Sequence, residues 1–153
     1  MKRIVCILTS IILSVSVFCS CERRKYDTRV VAQVISDKTD FGGVLYSSLA
    51  NEWEDDYLHE DLLSQMFLSP IPRGVEVTLL IRPSAKVTYE VGVFYTPRSS
   101  ERLFIIELLS ERLSVLRMYD GECLDTLFTK GGYVIYAFAP SADKVGVAVD
   151  SMF

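Results

Sequence analysis

Glu52, Glu54, Asp55, Asp56, His59, Glu60 and Asp61 are the densest set of ionisable side chains in this sequence. Carboxylates at that density are what a hard cation such as calcium needs from one loop, and a carboxylate near a histidine is what acid–base hydrolysis needs. The spacing lacks the D-x-[DN]-x-[DN]-G pattern and its turn glycine. His59 is the single histidine of the chain, so no histidine pair can ligate zinc and no second imidazole can serve as a base. The expected role of the segment is a solvated acidic surface that leads into a helix. Within it, Trp53 and Tyr57 with Asp55 and Asp56 form the candidate contact surface, because aromatic side chains dominate binding energy where they are exposed. The leading expectation for Trp53 itself is that it packs on the neighbouring helix, with the exposed surface as the alternative.

Other chemistry-bearing spacings have plainer explanations. Ser141-Ala142-Asp143-Lys144 fits S-x-x-K, and Thr129-Lys130-Gly131 resembles the later strand motif of serine acyl-enzymes. In those enzymes S-x-x-K comes first and opens a buried helix, whereas here it comes last, and Ser141 is expected as a helix N-cap. Gly131-Gly132 precedes a strand pattern rather than a helix, which excludes a phosphate cradle and points to a tight turn. Glu90 and Arg112 are expected to pair between a strand and a helix as a structural ion pair. No catalytic residue, metal ligand or cofactor site is therefore assigned.

The elements that would position these groups follow from periodicity. Val30–Ile35 is a short apolar segment of undecided type. Phe41, Val44, Leu45 and Leu49 make one helical face with Asp40 as its N-cap, and a further turn or two of helix is expected from Leu58 to Phe67. Ser69-Pro70-Ile71-Pro72-Arg73-Gly74 breaks regular structure. Two period-2 runs, 75–82 and 87–95, joined by Pro83-Ser84-Ala85, predict a β-hairpin. Ser99 or Ser100 to about Met118 predicts the longest helix, with Ile106, Leu109, Leu113 and Leu116 as its stripe and Ile105 and Leu108 widening it. The run 132–139, GYVIYAFA, is apolar on both faces, as a central strand is, and a closing helix uses Val145, Val149 and Met152. The fold expected is α+β: a small mixed sheet, the hairpin plus a third strand, with helices on one face. If the long helix is a right-handed crossover, that third strand is parallel to the second.

Location is read from the first 21 residues, MKRIVCILTSIILSVSVFCSC. Lys2 and Arg3, an apolar run from Ile4 to Phe18, and the small residue Ser20 before Cys21 match a bacterial lipoprotein leader. On this reading residues 1–20 are the signal peptide, 21–29 a lipidated tether and 30–153 one α+β domain. Cys21 is the lipid-attachment residue, carrying palmitate-type acyl chains. Ordinary secretion with a cut after Ser20 and a retained anchor are the alternatives, the run being shorter than the ~20 apolar residues a bilayer core needs. Arg23, Arg24 and Lys25 could add attraction to anionic headgroups.

Removing residues 1–20 from the 153 leaves 133, one domain with room for a core. Lys2 and Arg3 leave with the leader, so 16 basic residues fall to 14 against 20 acidic ones. That balance argues against a nucleic-acid partner. Cys6 and Cys19 also leave, Cys21 is acylated, and Cys123 remains as a small buried hydrophobe.

The residues Val87-Thr88-Tyr89-Glu90-Val91-Gly92-Val93-Phe94, the helix containing Glu111-Arg112-Leu113, and Lys130-Gly131-Gly132-Tyr133-Val134 resemble a family of small exported bacterial lipoproteins known as a domain of unknown function. With the closing helix, the resemblance spans roughly residues 60–153. It implies fold and location and carries no catalytic residues. The function expected is that of a membrane-anchored envelope lipoprotein acting as a non-enzymatic interaction domain. Its partners would be membrane lipid through acylated Cys21 and an envelope protein. The alternatives are a small-ligand-binding lipoprotein, with a pocket between sheet and helices, and an envelope hydrolase or metal-dependent enzyme using residues 52–61.

Overall fold

The structure, a computed structural model, describes residues 26–85 and 87–153. The leader, Cys21 and the basic residues 23–25 lie outside the described residues. Among the described residues nine elements follow in chain order: α1 (Thr28–Thr39), β1 (Val44–Ser47), α2 (Glu60–Met66), β2 (Glu76–Pro83), β3 (Thr88–Tyr95), α3 (Ser99–Tyr119), β4 (Asp125–Lys130), β5 (Tyr133–Phe138) and α4 (Ala142–Asp150). They make one α+β domain, a five-stranded sheet in the order β1-β2-β3-β5-β4 with every neighbour antiparallel.

The hairpin forms as the alternation predicts, with Glu76 opposite Tyr95 and Pro83 opposite Thr88. The mixed sheet does not form. Asp125–Lys130 is a strand that the sequence reading passed over, and it reverses the chain before β5 begins. Gly131 at φ 57° and Gly132 make the two-residue turn between them. β5 therefore returns antiparallel to β3, not by a right-handed crossover.

Helices cover both faces of the sheet rather than one. α1 and α4 pack through Val31, Ala32, Ile35, Val145, Ala148 and Val149 on one face. α2 and α3 pack on the other, where Ile105, Leu108, Leu109, Leu113 and Leu116 are buried. Ile106 is only half-buried, while Ile105 and Leu108, expected at the margin of the stripe, are buried. A central strand covered on both faces has no polar side, which explains the wholly buried Tyr133–Phe138.

Asp40 does not open a helix. It closes α1 in the left-handed conformation at φ 56°, with its N–H donating to the Ser36 carbonyl. The true N-cap is Asp27, whose carboxylate accepts from the Val30 N–H at 2.9 Å. Gly42-Gly43 then turns the chain, and Val44–Ser47 pairs along β2 instead of coiling. Ser141 occupies the N-cap position of α4, but its side chain makes no capping bond. Tyr26, the first described residue, meets Tyr133 and the C-terminal Phe153 on the α1/α4 face. The Tyr26 N–H donates to the Tyr133 hydroxyl at 3.0 Å, and that hydroxyl donates to the Tyr26 carbonyl. Phe153 sits edge-on to both rings. Among the described residues no helix is long and apolar enough to cross a membrane.

Candidate functional site

The loop after β1 is fixed at its base by the sheet edge. Ser47 is buried, and its hydroxyl lies 2.9 Å from Thr78 Oγ1, which in turn donates to Thr28 Oγ1 at 2.8 Å. The Ser47 N–H donates to the Asp56 carbonyl at 2.7 Å, and the Leu58 N–H donates back to the Ser47 carbonyl at 3.1 Å. Leu58 then enters the core. The loop is braced across its middle as well. Asn51 donates to the Glu54 carboxylate from its N–H at 3.1 Å and from Nδ2 at 2.8 Å. In return the Glu54 N–H donates to the Asn51 carbonyl at 2.9 Å. Arg29 of α1 donates to Asp56 Oδ2 at 2.6 Å and ties the loop to the first helix.

Trp53 stands on this brace with 83% of its surface exposed. It does not pack on the neighbouring helix, because the Asn51–Glu54 turn holds the chain out from α2. Glu52 and Asp55 on either side are exposed too, whereas Asp56 and Tyr57 are half-buried. The Tyr57 ring lies edge-on to His59 at 4.9 Å. The Asn51 hydrogen bonds lower the Glu54 pKa, so the carboxylate stays ionised. The four residues singled out from sequence thus divide: Trp53 and Asp55 project, and Asp56 and Tyr57 hold the loop in place.

The remaining titratable groups of the segment do not converge. Asp56 is held by Arg29, Glu54 by Asn51, and His59 sits at the N-cap position of α2 against Tyr57. Among the described residues, no three His, Cys, Asp or Glu side chains are placed to hold a metal ion. Ser141 and Lys144 form the first turn of α4, the Lys144 N–H donating to the Ser141 carbonyl at 3.0 Å. Cys123, the one cysteine among the described residues, is half-buried rather than buried, with a free thiol. Burial and the charge of Asp120 raise its pKa, which leaves it a poor nucleophile.

A second polar cluster lies inside the α3 face of the sheet. Glu90 is 1% exposed and faces Arg112 of α3 in a two-pronged contact, with Arg112 Nε 3.1 Å from Glu90 Oε2. The predicted ion pair is present, and the sequence reading missed its third member. Tyr136 of β5, wholly buried, donates to Glu90 Oε2 at 2.9 Å. Gly92 makes this possible: a Cβ there would lie 2.1 Å from the Tyr136 ring, which crosses the glycine to reach Glu90. Burial, then the charge of Glu90, push the Tyr136 pKa well up, so the phenol stays a donor. Burial alone would lower the Arg112 pKa, but its hydrogen bonds to Glu90 outweigh this and raise it.

Arg112 borders a cavity of about 150 Å³ between α3 and the end of α2, beside Phe67 and Leu68. Phe67 and Leu68 also line a groove of about 610 Å³ that runs past Pro70, Ile71 and Pro72 to Arg73. It lies between α2 and the loop behind it, not between the sheet and the helices. No family model, curated protein or solved structure matches this chain.

Proposed function

We propose that this protein is a lipid-anchored envelope lipoprotein whose folded part is a non-enzymatic interaction domain. Its docking point is the braced loop that carries Trp53. The observation that carries this reading is the 83% exposure of Trp53 on a loop closed by main-chain hydrogen bonds. An apolar indole held in water by a rigid support loses little entropy on binding. Glu52 and Asp55 beside it favour a cationic partner, a Lys- or Arg-bearing segment of another envelope protein that can stack on the indole. The leader ending in Ser20-Cys21 supports attachment through acylated Cys21, and the family resemblance implies the same location.

Two experiments test the halves of this reading separately. Growth with an alkynyl palmitate analogue should label the wild-type chain. Cys21→Ser should abolish the label and release the protein or leave a precursor, and Cys19→Ser should leave labelling intact. A persistent label on Cys21→Ser overturns the anchor. Trp53→Ala should weaken capture of the envelope partner by about thirtyfold or more, the size of a central aromatic contact. Charge reversal at Asp55 and raised salt should weaken it further; unchanged capture in Trp53→Ala overturns the docking point.

The groove along α2 gives a second reading, a small-ligand-binding lipoprotein. Its 610 Å³ falls in the range of small-molecule sites and its lining is mainly apolar. One compound giving a large thermal shift that Phe67→Ala removes would favour it. An envelope hydrolase or metal-dependent enzyme would instead require turnover lost in Asp55→Ala or His59→Ala.

A further inference from the structure

We propose that two copies of this chain pair edge to edge through β4, joining their sheets antiparallel across a two-fold axis. The proposal uses none of the residues around Trp53.

The two edges of the sheet differ. β1 is four residues long, and its outer edge is taken at Ser47 by residues 56–58 of the same chain. β4 is six residues long and pairs only with β5 among the described residues. The Ala139 N–H donates to the Leu124 carbonyl at 3.0 Å, which fixes the alternation along this strand. Leu124, Thr126, Phe128 and Lys130 turn their main-chain groups toward β5, and those of Asp125, Leu127 and Thr129 point outward.

An edge of this kind is normally protected by proline, a bulge or a charge in mid-strand. Here the middle residues Thr126-Leu127-Phe128-Thr129 contain none of these. The two end charges are already drawn onto the flanking helices, Asp125 by Arg117 at 2.8 Å and Lys130 by Asp150 at 2.8 Å. Because the contact is isologous, each copy uses the same β4 edge and pairing through it closes at two copies.

Symmetry selects the register. In an antiparallel pair opposite residues share a face, so the two-fold axis must pass through a residue and not between two. Centring it on Leu127 sets Asp125 against the partner's Thr129 and Leu127 against the partner's Leu127. All three outward residues of each strand then bond, for about six main-chain hydrogen bonds. No like charges meet, each Asp125 facing a hydroxyl. Leu124, 47% exposed, comes to lie against the aliphatic stem of the partner's Lys130.

The axis stands perpendicular to the sheet, so α1 and α4 of both copies fall on one side. Tyr26 packs on that side, and two tethers would leave toward one membrane. This last point rests on the anchor reading; the pairing itself does not. Parallel pairing of the same edges would put the tethers on opposite sides.

Disulfide trapping of the full chain in its own cells tests the proposal. In a Cys123→Ser background, Leu127→Cys should give a band at twice the chain mass on a non-reducing gel. The Cys123→Ser parent should not. Opposite Cα atoms in such a pair lie within disulfide range. Thr129→Pro removes an outward N–H that β5 does not use, and should cut the band at least tenfold with the circular dichroism spectrum unchanged. Leu124→Lys, at an exposed position, sets Lys against the partner's Lys130 and should cut it several-fold. Adding Lys130→Glu should restore it. The gel reads mass whether the chain is bound or released, so failure of the anchor would be seen separately in fractionation. Absence of the doubled band, its persistence in both Thr129→Pro and Leu124→Lys, or capture of a different polypeptide by Leu127→Cys would overturn the proposal.

Discussion

Arg112→Ala should destabilise the domain by about 3–5 kcal/mol, the largest loss expected of any single surface-reaching side chain. The reason is what it leaves behind. Glu90 is 1% exposed on a strand inside the sheet, and both of its oxygens face Arg112. Without the guanidinium, Tyr136 is the single side-chain donor left to that carboxylate, and one phenol cannot offset a buried negative charge. Replacing all three members should behave differently. Glu90→Leu with Arg112→Met and Tyr136→Phe leaves no charge or hydroxyl to desolvate, so its stability should return to within about 1–2 kcal/mol of wild type, or exceed it. Urea unfolding followed by circular dichroism reads both variants. A loss under about 1 kcal/mol in Arg112→Ala would mean that water from the cavity beside Phe67 solvates Glu90 directly.

The same cluster shows what a sequence can and cannot disclose. Glu90 and Arg112 are foreseeable as partners because one lies on a strong alternating strand and the other on the strong helix that must cover it. Tyr136 is not, because its role depends on β5 lying beside β3. That placement in turn depends on β4, whose DTLFTK has too little alternation to announce a strand. Without those six residues the chain reads as a crossover into a parallel strand, whereas the β4–β5 hairpin reverses the direction of β5. At the other end, Asp40 and the spacing of Phe41, Val44, Leu45 and Leu49 imitate a helix start. The glycines 42 and 43 and the pairing of Val44 with Ile81 decide otherwise, since a four-residue strand draws its stability from its neighbour and not from its own pattern. Trp53 and its acidic neighbours were legible as a candidate surface. Its projection was not, because the Asn51–Glu54 brace that holds it out is a matter of local hydrogen bonding, invisible to hydrophobic periodicity.

Leu113→Ala should cost about 2–5 kcal/mol, because it removes a side chain from the point where α3 meets the sheet. Leu113 is 1% exposed, and it belongs to the cluster formed by Leu109, Leu116, Phe94, Val134 and Phe138. The lost methyl groups take transfer free energy with them, and the surrounding strands are pinned by hydrogen bonds on both sides, so they can close only part of the gap. Leu103→Ala on the same helix is the control. Leu103 is 69% exposed, and its truncation should change stability by no more than about 0.5 kcal/mol. The two leucines have the same chemistry and the same helix propensity, so the difference between them isolates burial. Equal and small effects at both positions would mean that α3 does not dock through the Leu109–Leu113–Leu116 stripe. That result would also remove the scaffold that brings Arg112 onto Glu90, and Arg112→Ala should then be equally mild.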